Sequence, residues 1–351
     1  MKIIIVAPGF PPDWGGVESV TGSIARHLAG RGEQVVVLAH GHKRQNETTP
    51  EGVEVRRYRA HLKVFAVSPA LLRAIRREEA TVWHVHNVHS SLPLLVWATK
   101  RRPYVLNPHF HGAGHTLGAR LMHLPYAPFL RRVVRSASAV IAVSRYEARI
   151  LEARFGVKAE FVPNGIDLVR LHSVVRTREA DGQVQILVVS RLFHYKRTHI
   201  AILALALLPQ EYRLVIQGDG PESAELGRLA SSLGLQDRVN FQHFHLTDEQ
   251  LWQLLANSDV LLNLSAAEAF SLVVLEALAL GTPAVLSTST ALRDWSDLFP
   301  EEVTAVPRLT PPAVADAINR SVGVRVAPDL ATYDWEIITS QLLAIYRNIS
   351  R

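Results

Sequence analysis

Two carboxylates, Glu268 and Glu276, bracket an apolar run, Ala269 to Leu275. In one continuous helix they would stand roughly 12 Å apart along the axis at 1.5 Å per residue, too far for a close acid/base dyad. A helix starting near Phe270 gives a better geometry. It puts Glu268 in the preceding loop and Glu276 a turn or two inside, with unpaired N–H groups at Phe270, Ser271 and Leu272 between them. Such a helix start binds anions. The combination suits a ligand with hydroxyls at both ends and phosphate in the middle. The plain alternative is two solvated helix charges. Glu276, however, sits amid Leu272, Val273, Leu275, Leu278 and Leu280, where an unpartnered carboxylate is costly.

Other residue types with chemical capacity lie at the ends of apolar runs. Arg191 and Lys196 follow one such run and could neutralise phosphate, as against being ordinary surface charge. Gly15-Gly16 stands in the first strand–helix loop, where the lack of a side chain lets backbone N–H groups approach a phosphate. It is not a dinucleotide fingerprint, because Gly9, Gly15 and Gly16 miss the spacing and no acidic residue ends the second strand. Gly218-Asp219-Gly220-Pro221 reads as a turn. Eleven of the sixteen histidines precede residue 170. His84 and His86 alternate on a strand and so share a face; His109 and His111 repeat the spacing after Tyr104–Asn107. Alternating histidines can ligate a metal, although no acidic cluster accompanies them.

These residues must be held by elements, and the hydrophobic pattern supplies them. Lys2–Ala7, Val35–His40, Val53–Arg57, Val82–Val85, Tyr104–Asn107 and Ala139–Val143 read as strands. Val17–Arg31, Ala70–Glu79 and Leu121–Arg135 read as helices. The pattern then restarts with strands at Gln185–Ser190, Arg213–Gln217, Val239–Phe244, Val260–Leu264 and Pro283–Ser287. Helices at Thr198–Leu208, Glu222–Leu233, Asp248–Ala256 and Phe270–Leu280 alternate with them. Strand–helix alternation predicts parallel sheets covered on both faces. Pro163-Asn164-Gly165-Ile166-Asp167 is a turn between the halves, and the linker belongs there and in the polar stretch 176–182. The expectation is two doubly wound α/β domains facing a cleft, 1–167 and 168–333, with ligands at the carboxyl ends of the strands. Residues 334–351 form an amphipathic helix, with Trp335, Ile338, Leu342, Ile345 and Tyr346 on one face.

Glu268-x7-Glu276, continued by Ala277-Leu278-Ala279-Leu280-Gly281-Thr282-Pro283, resembles the signature of glycosyltransferase family 4, retaining enzymes of the GT-B fold. Gly15-Gly16-Val17-Glu18, Pro163 to Asp167, Ser190-Arg191-Leu192 with Lys196, and Gly218 to Pro221 match in the same order. The resemblance spans essentially the whole chain and implies that the C-terminal helix crosses back to the first domain. It implies that Glu276 holds the donor ribose and Glu268 the hydroxyls of the transferred sugar. Arg191 and Lys196 would neutralise the diphosphate, and His109 would sit near the anomeric carbon. Gly15, Gly16, Asn164, Phe270, Ser271 and Leu272 complete the implied donor contacts, and His86 and His111 line the acceptor side. Ser190 departs from the family, which usually has Gly there.

The resemblance thus implies transfer from a nucleoside-diphosphate sugar, UDP- or GDP-linked, to a hydroxyl of a glycan, glycolipid or lipid-linked intermediate. It implies no cofactor and no metal. No carboxylate is placed as a nucleophile for a double displacement; the resemblance implies a front-face route, with the departing phosphate oxygen taking the acceptor proton. The alternatives are a sugar-nucleotide epimerase on the same fold and a degenerate relative that only binds nucleotide.

Composition bounds the partners. The chain of 351 residues has no cysteine, which excludes disulfides and thiolate metal sites and fits a reducing cytoplasm. Its apolar runs are too short for a secretory signal or a membrane span. Residues 1–170 carry 24 Lys+Arg against 12 Asp+Glu, and residues 171–351 carry 14 against 20. A basic half beside an acidic one concerns partners. The candidates are an anionic membrane surface, a phosphorylated acceptor or nucleic acid; helices with Arg131, Arg132 and Arg135, or Arg73, Arg76 and Arg77, can sit on an anionic membrane near a lipid-linked acceptor, and no nucleic acid is expected. The plain alternative has Phe129, Leu130, Val133 and Val134 facing the core.

Overall fold

The run Ile3 to Ala7 is completely buried because it forms the middle of a parallel sheet, where strands covered on both faces read as continuous apolar stretches. The computed structural model describes the chain except residues 14, 61–67, 100, 113–126 and 179–181. It divides into two units, residues 1–165 with 332–351, and residues 166–331.

In chain order the first unit holds β1 (Lys2–Ala7), α1 (Gly16–Gly30), β2 (Gln34–Gly41), β3 (Gln45–Thr48), β4 (Glu54–Arg59) and α2 (Pro69–Arg77). It continues with β5 (Val82–His86), α3 (Leu92–Ala98), β6 (Tyr104–Asn107), α4 (Ala127–Arg135), β7 (Ala139–Ala142), α5 (Arg145–Phe155) and β8 (Glu160–Phe161). The sheet order is β3-β4-β2-β1-β5-β6-β7-β8. All neighbours are parallel except β3, which runs antiparallel to β4 at the edge. Strand order reverses between β1 and β5, the place where doubly wound sheets open a crevice. Ile4 pairs with Val36 on one side and Trp83 on the other, and these side chains share one core with Leu106 and Val140.

The second unit holds α6 (Leu168–His172), β9 (Val184–Val189), α7 (Thr198–Leu205), β10 (Tyr212–Gln217), α8 (Ser223–Ser232), β11 (Val239–Gln242) and α9 (Asp248–Ala256). It goes on through β12 (Val260–Asn263), α10 (Leu272–Ala279), β13 (Ala284–Ser287), α11 (Leu292–Leu298), β14 (Val303–Val306) and α12 (Pro311–Ser321). Its parallel sheet runs β11-β10-β9-β12-β13-β14, the same doubly wound order, reversing between β9 and β12. Local signals set the ends. Thr247 and Gln250 form a reciprocal capping box at α9, and Ser144 accepts the Glu147 N–H at the start of α5.

The last helix, α13 (Trp335–Ile349), returns to the first unit. Its expected apolar face is buried: Trp335, Ile338, Leu342, Ile345 and Tyr346 are nearly inaccessible. Trp335 stacks on His27 of α1 at 5.3 Å. The same indole explains Gly165, where a Cβ would lie 2.6 Å from the Trp335 ring.

Two expectations change in detail. The helix expected from Phe270 begins at Leu272, because Ser271 takes φ 81° and caps it, so Phe270 lies in the loop. There its carbonyl accepts the Trp295 indole N–H at 2.6 Å. In α4, Leu130, Val133 and Val134 face the core, but Phe129 is 44% exposed beside exposed Arg131, Arg132 and Arg135. The expected first part of that helix, 121–126, lies outside the described residues.

Candidate active site

At the reversal point of the second sheet, the chain leaves β9 into Ser190, Arg191 and a 3-10 turn, His194–Lys196, and leaves β12 into a loop ending at Ser271. These segments bring Lys196 and Glu268 together: Nζ lies 2.5 Å from Oε1, with the side chains only 13% and 16% exposed. Backbone contacts hold both sides. The Ala266 N–H donates to the Tyr195 carbonyl at 2.7 Å, and the Glu268 N–H donates to Thr290 Oγ1 at 2.9 Å. Asn263 donates to Ser271 Oγ at 3.1 Å.

Ser190, Lys196, Thr198 and Asn263 line a small cavity at the carboxyl ends of β9 and β12. Two hydroxyls there, Ser190 Oγ and Thr198 Oγ1, are buried without a partner among the described residues. Unsatisfied buried polar atoms call for an explanation, and a ligand oxygen beside Lys196 is one. Arg191 stands apart. It is exposed, stacks over Phe193 at 5.5 Å and donates to the Tyr195 hydroxyl at 3.3 Å. The expected Arg191–Lys196 pair is therefore one half-dry cation and one solvated one.

Glu276 lies inside α10, where Trp252 of α9 donates its indole N–H to Oε1 at 3.2 Å. Loss of solvation pushes its carboxyl up to about 7, against the lowering effect of that hydrogen bond. The indole is the partner a carboxylate among leucines requires, and nothing in the spacing of Trp252 announced it. Gly218 and Gly220 are explained by packing: a Cβ would fall 2.0 Å from the Ser190 carbonyl oxygen or 2.4 Å from that of Leu192. The Gly-Asp-Gly turn thus supports the Ser190–Leu192 segment from below.

In the first unit, His84, His86 and His109 gather at the carboxyl ends of β5 and β6. The rings of His84 and His86 are 4.2 Å apart, and His86 Nδ1 lies 3.1 Å from His109 Nε2. Tyr346 of α13 meets His84 Nδ1 through its hydroxyl at 2.7 Å. Burial depresses all three, His84 to about 3, His109 to about 4 and His86 well below the usual imidazole value. All three are neutral near pH 7. His111 does not join them; it stacks on His89 at 4.4 Å.

Sequence reasoning missed Glu147. Its fully buried carboxyl group accepts the Val143 N–H at 2.8 Å and the N–H of Phe110, the residue after His109. Burial raises it to about 8. The signal was present as Ser144-x-x-Glu147, the spacing of a capping box, although the carboxyl group bonds to two neighbouring loops instead of back to the Ser144 N–H. Gly15 caps α1, and Glu18 folds over it, so that a Cβ on Gly15 would lie 2.2 Å from its carboxylate; Gly16 opens the helix with free space around it. Asn164 is buried beside the turn at Gly165.

Among the described residues, the histidine–carboxylate group with ligand atoms within 4.8 Å of one another is His194, His199 and Glu222. His194 hydrogen-bonds Glu222 at 2.9 Å. The expected metal alternative concerned His84 and His86 instead. No helix among the described residues is long and apolar enough to cross a membrane.

Comparison with known proteins matches both units. Residues 14–170 match the model of Glycosyltransferase Family 4, and residues 173–320 that of Glycosyl transferases group 1. The phosphatidylinositol N-acetylglucosaminyltransferase gpi3 subunit of Schizosaccharomyces pombe is 24% identical over 90% of this chain and 71% of its own length. A GDP-mannose-dependent alpha-(1-6)-phosphatidylinositol dimannoside mannosyltransferase of Mycobacterium tuberculosis is 34% identical over 46% of this chain and 43% of its own. Among solved structures, sucrose-phosphate synthase of Thermosynechococcus elongatus superposes with TM-score 0.81 at 22% identity, covering 99% of this chain and 98% of that one. Anabaena HepE, solved with UDP and glucose, superposes with TM-score 0.77 at 21% identity, covering 99% and 100%. The chain belongs to the family 4 and group 1 glycosyltransferases and has their GT-B fold.

Proposed function

We propose that this glycosyltransferase moves one sugar from a nucleoside-diphosphate donor, UDP- or GDP-linked, to a hydroxyl of a glycan, glycolipid or lipid-linked acceptor, with retention at the anomeric carbon. The observation that carries the proposal is the contact between Lys196 and Glu268 at the reversal point of the second sheet, beside two buried hydroxyls in want of a partner. A cation and a carboxylate side by side suit a donor whose diphosphate adjoins a hydroxylated sugar. Lys196, with Arg191, stabilises the charge that grows on the departing diphosphate. Glu268 accepts from sugar hydroxyls and Glu276 from the ribose. The bond from the anomeric carbon to the phosphate oxygen breaks, the bond to the acceptor oxygen forms on the same face, and the acceptor proton passes to the departing phosphate oxygen. These cations supply the charge stabilisation, so the step is assigned no metal and no cofactor.

The names of the relatives support a nucleotide-sugar donor and a lipid-linked acceptor: two of them are named for phosphatidylinositol-based molecules, and HepE binds UDP and UDP-glucose. The exposed arginines of α2 and α4, with Phe129 among the latter, support docking on the anionic cytoplasmic face of a membrane. Thermal unfolding in the presence of UDP-, GDP- and other nucleotide sugars tests the donor, because a ligand at 100 times its Kd stabilises by about 2.7 kcal/mol. One nucleotide class should raise Tm, and Lys196→Ala should abolish the rise. The proposal fails if no nucleotide sugar raises Tm or is consumed, and an epimer formed from donor alone would replace it with the epimerase alternative.

A further inference from the structure

His109 is held from two sides. Its backbone takes φ 50°, a conformation that side-chain-bearing residues seldom adopt. The loop is fixed on either side of it: the Val88 N–H donates to the Pro108 carbonyl at 3.0 Å, and the Phe110 N–H donates to Glu147. The ring is fixed by His86, which is wholly buried and meets His109 Nε2 through Nδ1 at 3.1 Å. His86 Nε2 is buried with no partner among the described residues.

We infer that His86 sets the tautomer of His109: His86 donates its Nδ1–H to His109 Nε2, so the proton of His109 resides on Nδ1. Two neutral imidazoles can share this contact in only two ways. If His109 donated, the proton of His86 would have to sit on Nε2 as a buried N–H without an acceptor. Such orphaned donors are rare and carry the full desolvation cost of the group. If His86 donates, its Nε2 is a bare lone pair, the better tolerated of the two. The influences on the two rings are burial and neighbouring imidazoles, with no carboxylate among them, and burial disfavours charge on both.

The consequence for chemistry rests on the proposed function. With Nε2 occupied and Nδ1 protonated, His109 can offer a sugar oxygen a hydrogen-bond donor, the contact the resemblance implies for it, and has no free lone pair with which to act as a base. His86 is then a positioning residue that acts through His109.

Long-range proton–nitrogen correlation spectra of the 15N-histidine-labelled chain read the tautomer directly, independently of any activity. The expected spectrum shows His109 with Nδ1 of the protonated type and Nε2 of the bare type. His86→Asn, whose amide can still donate near the position of Nδ1, should preserve that pattern, and His86→Leu should lose it. In turnover, His86→Leu should lower kcat by about 10- to 100-fold, the range of lost supporting contacts behind a functional side chain, with donor KM changed less than about threefold. His86→Asn should restore most of that loss. A wild-type spectrum with the His109 proton on Nε2 overturns the inference, and so do Asn and Leu variants that fold and are equally impaired. A correct tautomer in a protein that transfers no sugar would retain the inference and discard the proposed function.

Discussion

Lys196 and Glu268 form an ion pair of 2.5 Å although 72 residues separate them, and each is largely shielded from water. Removing one partner of a shielded pair leaves the other charge uncompensated, which costs about 3–5 kcal/mol when burial is complete; the residual exposure here places the cost below that range. Glu268→Ala should therefore lower the unfolding midpoint more than the double variant Lys196→Met/Glu268→Leu, whose apolar pair needs no counter-charge. The double variant should lose at least about 100-fold in kcat/KM, because a fixed cation at a developing negative charge is commonly worth about 10²–10³, and Glu268→Ala, which keeps the cation, should lose less. Equal stability of the single and double variants would remove the pair from the account.

Glu276 ties donor binding to pH. Its carboxyl titrates near 7 in the folded chain against an ordinary value of 4.5, chiefly through loss of solvation. A raised folded value means that the folded state holds the proton more tightly. The stability from this group is complete below about pH 4.5 and declines as pH rises through about 7. Glu276→Gln should flatten that decline in the second unit by up to about 3 kcal/mol, while weakening donor binding because an amide oxygen is a weaker acceptor for the ribose hydroxyls than a carboxylate. Denaturant melts between pH 5 and 8 measure the first effect and donor titrations the second.

The three buried histidines act in the opposite sense. Their folded values lie below 6.5, at about 3 for His84 and about 4 for His109. Their contribution is present above about pH 6.5 and is lost as pH falls through about 4, since unfolding lets them take up protons. The wild-type midpoint should fall steeply across that window. His84→Phe, which also gives up the Tyr346 hydrogen bond, should be less stable at pH 7.5 yet show a shallower acid slope. An unchanged slope would mean that His84 is not protonated on acid unfolding.

Glycines give a paired test without ionisation. Gly218 has φ 136° and a Cβ there would overlap the Ser190 carbonyl oxygen at 2.0 Å, so Gly218→Ala should destabilise by more than about 2 kcal/mol and displace the Arg191 segment. Gly227, inside α8, has nothing within 4 Å of its notional Cβ. Gly227→Ala should stabilise by about 0.5–1 kcal/mol through helix propensity alone. Calorimetry on the two variants checks the opposed signs.

Much of this was legible in the residue order. The strand at Lys2–Ala7 announced itself as a buried parallel strand, and Trp335 to Tyr346 as a one-faced helix, because burial leaves a periodic trace. Helix α3, Leu92–Ala98, leaves none: Leu-Pro-Leu-Leu-Val-Trp-Ala is apolar all round, and period cannot be read from a uniform run. Among the site residues, Glu268 and Glu276 stood out because they interrupt an apolar stretch. Lys196 was singled out as well, but the pairings were not legible. Lys196 reaches Glu268 from another crossover, and Trp252 reaches Glu276 from the neighbouring helix, relations fixed by sheet order rather than by spacing. The separation of His111 from His109 and His86 was equally hidden, since it depends on which ring each histidine stacks against.

The second unit is one unbroken stretch, 166–331, whereas the first is made of residues 1–165 and the final twenty. During synthesis the ribosome therefore delivers the whole second unit before the first can be completed. Until α13 emerges, the α1 surface that receives Trp335 is bare, Gly165 has no indole against it, and His84 has no tyrosine hydroxyl. The histidine cluster thus acquires its last neighbour only after the whole second unit has been made, and a chain cut after Asp334 would leave His84 without that hydroxyl.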